Sequence, residues 1–414
     1  MLANGAYQMA LVERLAFNRI ATSPEEARAA QILADEVRAL GGEPVIEEFP
    51  IPRWEISCAK LTVTAPYTAE IPVIGIGRSG STPEGGLEAE LVYVGRAEEN
   101  DLRNVAGKII LMEALSYDVW KRVAACGCAG FLVLNGNYFE DESTNDIPCN
   151  CLRDSFLRFG KIPGMNLRTC DALDMVKRGA ARVRMELTQR EYTANSRNVT
   201  AFIPGTDKAD EIISYTAHLD SVPYAPGAWD NASGCADIMA AFRHFMANPP
   251  RRSLRFVWCG AEEVGLLGSQ AYAAAHPEEM AKIRFGINVD MTGPALGYDR
   301  AITTADKALV DYLAYMAREC GHTLEITRTI HPSDSTPFAD AGVPTLTFNR
   351  WGRAAGHSRH DFAIPLSAQA FAGFWDFQIA FAERIVNTEV VPVPREIPED
   401  LKKELDHYFH RDEN

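Results

Sequence analysis

Five short segments of this chain carry histidine and carboxylate residues in patterns that suit metal-assisted hydrolysis. They are His218-Leu-Asp220, GAWDNASG with Asp230, CGAEEVGLLGS with Glu262 and Glu263, NVDMTG with Asp290, and His357-Ser-Arg-His-Asp361. Taken singly, each is common. His-x-Asp recurs in many proteins, and an acidic doublet often marks a helix start, where acids favour the macrodipole. Asp290 is harder to account for that way. It sits inside the run Ile287-Asn288-Val289-Asp290-Met291, where an unpaired buried charge would be expensive. Taken together, His218, Asp230, Glu263, Asp290 and His357 form a set of hard and borderline ligands suited to two zinc-like ions. Three carboxylates oppose two divalent charges, and one bridging hydroxide brings such a site to neutrality. Glu262 then remains free to act as a base. This is the two-metal design for hydrolysis, with a nucleophilic oxygen made at neutral pH and a clamp on the developing oxyanion. A ligating imidazole also needs its second N–H held, and Asp220 stands where it could do so for His218.

The elements that must position these residues are legible in outline. From about Ser196, strand-like runs at 198–203, 211–217, 254–259, 285–291 and 344–348 alternate with helix-like runs at 234–246, 267–276, 308–320 and 366–386. Buried strands alternating with helices predict an α/β domain, with a mixed, mostly parallel sheet flanked by helices. Three acidic or histidine segments follow a strand-like run. Asp290 lies within the end of its own run, and His357 comes some nine residues after Phe348. In open α/β sheets the carboxyl ends of the strands build the site, so these loops are expected to converge on one crevice. Ahead of this part, 24–41 reads as an amphipathic helix with Ser23 as cap and Gly41 and Gly42 as stop. Between them, Gly/Pro-punctuated short strands from about Ile51 to Leu187 predict a small β-rich insert. The expected organisation is therefore a discontinuous catalytic domain, 1–50 and 191–414, with an inserted domain at 51–190. The tail after Asn387 carries three prolines and many charges. It is expected to pack loosely or to wrap a neighbour, which makes a homo-oligomer contact there one reading.

The motifs AHLDSV, GAWDNASG, AEEVGLLGS, NVDMTG, SDSTPFADAGVP and HSRHD resemble the M28 family of zinc aminopeptidases and related exopeptidases, in the family's order across about 193–386. The resemblance implies that His218 and Asp290 hold one ion, that Glu263 and His357 hold the other, and that Asp230 bridges them. It makes Glu262 the general base and Asp220 the orienter of His218. It also implies a peptide substrate, most often shortened from its amino end. The ions would be zinc, with cobalt or manganese as alternatives. The segment 51–190 is similar to the protease-associated domain often inserted in this family, through NVAGKIILME and KRVAACGCAGFLVLN. One departure stands out. Ser335 follows Ser333-Asp334 where the family often has His, and no Tyr occupies the usual oxyanion-side position, so His331 becomes the candidate donor.

Composition narrows the field further. At 47% hydrophobic and 23% charged residues, the 414-residue chain is globular rather than disordered or coiled-coil. A net charge of −15 argues against nucleic acid as partner, because an acidic chain gains nothing from counterion release. No apolar run reaches the ~18–20 residues of a membrane span. Nine cysteines, an odd number, and no basic-then-apolar start point to a reducing cytoplasm. The alternatives are an M28-type carboxypeptidase or glutaminyl cyclase, an M20-type deacylase or dipeptidase, and a non-catalytic binding protein on the same fold. GAWDNASG lacks the Gly-rich, Lys-containing stretch expected of M20. An intact ligand set and base speak against a non-catalytic protein. Cys126-x-Cys128 and Cys149-x-Cys151 lack the usual two-residue spacing of zinc ribbons and read as reduced thiols.

Overall fold

The computed structural model describes residues 4–412. The chain forms two compact units, residues 1–51 with 195–414, and 52–194. Both crossings between the units fall inside long strands, Val45–Ala65 and Arg182–Ile203.

The first unit is a mixed α/β fold. Its sheet runs in the order Leu324–Arg328, Gly297–Thr303, Thr345–Gly352, Ile283–Val289, Lys208–His218, Arg252–Cys259 and residues 195–203. The four strands from Thr345–Gly352 to Arg252–Cys259 are mutually parallel, and each side of that group begins with an antiparallel partner. Side chains alternate across a strand. One parity (Ile213, Tyr215 and Ala217; Phe256 and Trp258; Ile287 and Val289) packs against helices Asn4–Leu15, Pro24–Ala39, Ser233–Ala247, Lys307–Glu319 and Ala368–Asn387. The other parity (Ile212, Val257, Cys259) packs with Tyr272, Met280 and Phe338 from shorter helices on the second face. Burial on both faces is why these strands read as nearly unbroken apolar runs.

The tail differs from its expectation. Glu399–Tyr408 is a helix whose Leu401 and Leu405 are buried against Ala339 and Ile397, so it packs firmly within its own unit. Its apolar residues recur only every fourth position among charges, and the flanking prolines masked that stripe.

The second unit has its own sheet, in which Leu87–Tyr93, Ile109–Met112, Gly130–Asn135 and Gly164–Arg168 are parallel neighbours. Helix Tyr117–Ala125 joins the second of these to the third, a right-sized βαβ crossover. Leu111, Leu132 and Leu167 feed one core of this unit, and Ile110, Met112, Phe131 and Val133 the other. Among the described residues no helix is long and apolar enough to cross a membrane.

Candidate metal centre

Strand register brings the chemistry to one place. His218 ends strand Lys208–His218 and lies level with Cys259 on the adjacent parallel strand. The doublet Glu262–Glu263 therefore leaves the sheet beside it. On the other side of that strand, Ile283–Val289 delivers Asp290 one residue past its end, and the Asp290 N–H is held by the Phe348 carbonyl at 3.0 Å. Asp230 enters from a distorted turn just before helix Ser233–Ala247, with a cis bond to Asn231. His357 reaches in from the loop after Thr345–Gly352, at φ +55°.

The five candidate ligands converge. His218 Nε2 lies 3.1 Å from Asp230 Oδ1 and 3.5 Å from Asp290 Oδ1. His357 Nε2 lies 2.9 Å from Asp230 Oδ2 and 3.2 Å from Glu263 Oε2. The two oxygens of Asp230 thus face two different groups. Ligand atoms of His218, Asp230 and Glu263 lie within 4.8 Å of one another, as do those of His218, Glu262 and Asp290. Glu263 Oε1 and Asp290 Oδ1 are buried without a hydrogen bond. Buried carboxylate oxygens left unsatisfied are costly, and a cation held among them would satisfy them. On that ground the residues fit a bound divalent cation.

Electrostatics agree. Burial drives Glu262 far above the usual carboxylate range; the nearby Glu263, Asp334 and Asp290 add to this, and His218 opposes it. Burial, then the charge of Asp230, lifts Glu263 to about 7. Burial alone would favour neutral His218, but Glu262 and the nearby carboxylates of Asp220, Asp230 and Asp290 hold it charged, well above its ordinary value. Hydrogen bonds to Asp230 and Glu263 push His357 to about 11. Asp230 lies below the ordinary range, because the two imidazoles outweigh the burial that would raise it. Protons on the histidines and on Glu263 hold the positive charge that the acids demand, and an entering ion must displace them. Metal affinity should therefore fall as pH drops through 7, by about tenfold or more per unit if at least one proton is displaced. Zinc titration against a competing chelator at pH 6, 7 and 8 checks this. A flat profile would mean that these groups are not the ligands.

Asp220 has a wider job than sequence suggested. Its carbonyl is 3.3 Å from His218 Nδ1, while its carboxylate is 3.7 Å from the same nitrogen. The carboxylate accepts the backbone N–H groups of Glu262 at 3.0 Å and Glu263 at 3.3 Å. It therefore ties the doublet to the His218 segment. Asp220→Ala should weaken metal affinity or activity by the ~10–100-fold typical of residues that orient ligands. Zinc affinity and kcat measured on the folded variant check this, and values equal to wild type would reduce Asp220 to a turn residue.

Sequence reasoning assigned no role to two further residues. Asp361, buried, accepts the N–H groups of Trp229 at 2.8 Å and Asp230 at 3.1 Å, and so fixes the loop that carries the Asp230 carboxylate. Asn231 donates to the Val289 carbonyl at 3.0 Å and accepts from Met291 N–H at 3.1 Å, joining that loop to the Asp290 strand. Both sat inside quoted motifs, and their position beside a ligand or four residues from one was the available signal. The Ser335 hydroxyl bonds Ser333 and Thr347. His331 feels the charge of Asp290, while its burial favours the neutral imidazole.

The aminopeptidase YwaD of Bacillus subtilis (strain 168) is 27% identical over 356 residues, which cover 81% of this chain and 72% of that protein. Carboxypeptidase Q of Mus musculus is 28% identical over 370 residues, 82% of this chain and 77% of that protein. Among solved structures, a zinc aminopeptidase from Bacillus subtilis superposes with a TM-score of 0.79 at 23% identity, over 96% of this chain and 98% of its own. The segment 198–381 matches Peptidase family M28, and it contains every ligand candidate and the doublet. That match spans the segment that carries the candidate site, and the fold around it is similar to that of the zinc aminopeptidase structure.

Proposed function

We propose that this protein is a metallo-exopeptidase that binds two divalent ions, zinc foremost, and removes residues from the amino end of peptides. The observation that carries the reading is Asp230, whose two carboxylate oxygens face His218 and His357 separately, with Asp290 beside the first and Glu263 beside the second. In this reading Asp230 bridges, His218 and Asp290 hold one ion, and Glu263 and His357 hold the other. When bound, the ions supply Lewis acidity toward a water and toward the scissile carbonyl.

The chain's own residues supply the rest. Glu262 takes the proton of the attacking water and returns it to the leaving amine, a role for a carboxylate whose proton affinity burial raises above the ordinary range. Its backbone is pinned by Asp220, so the side chain is aimed from a fixed base. Asp220 and Asp361 hold the ligand segments still while the charge on the reacting carbonyl develops. His331, neutral and within the field of Asp290, is the proposed hydrogen-bond donor to that oxygen. The acids around the site favour an α-ammonium over a carboxylate, which is the argument for the amino end. The segment 52–194 is proposed to be an insert of the protease-associated type.

The second reading is a carboxypeptidase, since a relative of that name matches about as well as the aminopeptidase. A panel of free-amine dipeptides, amino-acid amides and N-blocked dipeptides separates the two. Faster turnover of free-amine substrates supports the proposal. Faster turnover of N-blocked peptides with a free carboxylate gives the carboxypeptidase reading.

A further inference from the structure

Arg19 has no place in the chemistry so far, yet its guanidinium is buried directly behind the site, at 1% exposure. Its donors go to backbone carbonyls rather than to an acid. Nε donates to Leu219 O at 2.7 Å, Nη1 to Pro226 O at 2.7 Å and Phe17 O at 2.9 Å and also to Leu15 O, and Nη2 to Gly227 O at 3.0 Å. Leu219 lies between His218 and Asp220, and Gly227 lies three residues before Asp230. One planar side chain thus spans the two segments that present His218 and the bridging carboxylate.

The neighbouring backbone repeats the connection. Arg19 N–H donates to Ser221 Oγ at 2.9 Å, and Ser221 N–H returns to the Arg19 carbonyl at 3.2 Å. Asn18 Nδ2 donates to the carbonyls of Val222 at 2.8 Å and Ala225 at 3.0 Å. The packing leaves no slack. A Cβ on Gly227 would fall 2.6 Å from Asp230 O, 2.7 Å from Ser221 Cβ and 2.8 Å from Arg19 Nη2. Burial works against the cation, and the charges of Asp220, Asp361 and Asp230 work for it. An arginine stays charged even so. Five carbonyls arranged around a guanidinium, with three acids beyond them, form an environment built for this one side chain.

We propose that Arg19 is a positioning residue for the metal centre: it fixes the His218 segment against the Asp230 segment, and so sets the spacing of the ligands they carry. The proposal rests on the metal-site reading above.

The test compares wild type, Arg19→Gln and Arg19→Lys for zinc affinity by competition with a chelator. Folding is checked by circular dichroism, and kcat and KM are measured at saturating zinc. Wild type tests the underlying reading by itself, because absence of zinc binding there ends that reading and this proposal with it. Given binding, Arg19→Gln should remain folded and bind zinc about 10–100-fold more weakly, the usual cost of losing a residue that orients ligands. Its kcat at saturating zinc should return to within a few-fold of wild type, with KM unchanged. Arg19→Lys keeps the charge without the planar fork and should fall between the two. An Arg19→Gln protein with wild-type zinc affinity, whatever its melting temperature, overturns the proposal. If neither variant folds, Asn18→Ala decides. Zinc affinity at least threefold weaker supports the strap, and an unchanged affinity overturns it.

Discussion

Glu262→Gln should keep both ions and lose roughly 10²–10⁴-fold in kcat, the usual size of a general acid–base contribution. The substitution preserves the shape of the side chain and removes its basicity. The backbone N–H of residue 262 still reaches Asp220, so the doublet keeps its anchor. Metal content and affinity for substrate-like inhibitors should stay near wild type, which separates a chemical loss from a structural one. Glu263→Gln should behave in the opposite way, losing an ion, because its buried Oε1 has no other partner. Glu262 also lies within a ligand-sized group with His218 and Asp290, so the order of the doublet is open to direct test. Metal loss in Glu262→Gln, with Glu263→Gln metallated and inactive, would reverse the two roles. A near-normal kcat in Glu262→Gln would reject the proton shuttle itself.

Asp230→Ala should lose both ions, and activity should fall further than the ~10–100-fold attached to outer residues. Asp230 is the only carboxylate in ion-pair range of both His218 and His357 among the described residues. Its removal takes a ligand from each position at once. It should also release the histidines. His357 is held near 11 first by its bond to Asp230, so the variant's imidazole should titrate at least a unit lower. Proton NMR of the histidine ring signals reads that shift, and elemental analysis reads the metals. A variant that retains one full equivalent of zinc would show that Asp230 serves one ion only.

The convergence of the candidate ligands was legible because the sheet does the assembling. His218, Glu263 and Asp290 each stand at or just beyond the end of a parallel strand, and parallel register makes those ends neighbours without fine detail. The apolar runs preceding them were clear because both faces of the sheet are buried. What stayed hidden acts through backbone. Arg19 and Asp361 grip carbonyls and N–H groups of residues more than a hundred positions away, and nothing in their local pattern marks those partners. Strands Gly297–Thr303 and Leu324–Arg328, the outer two on one side of the sheet, were missed because polar and charged residues interrupt their short apolar runs. The first helix, Asn4–Leu15, buries Gln8 and Gly5 along with its aliphatic residues, so its stripe is broken in sequence. Glu399–Tyr408 was hidden by the prolines before it.

Whether one carboxylate joins two ions is tested most directly by crystals grown with zinc and measured with anomalous scattering at the zinc edge. Two peaks per chain are expected with Asp230 between them, one bound by His218 and Asp290 and the other by Glu263 and His357. A single peak, or two peaks that Asp230 does not share, would contradict it.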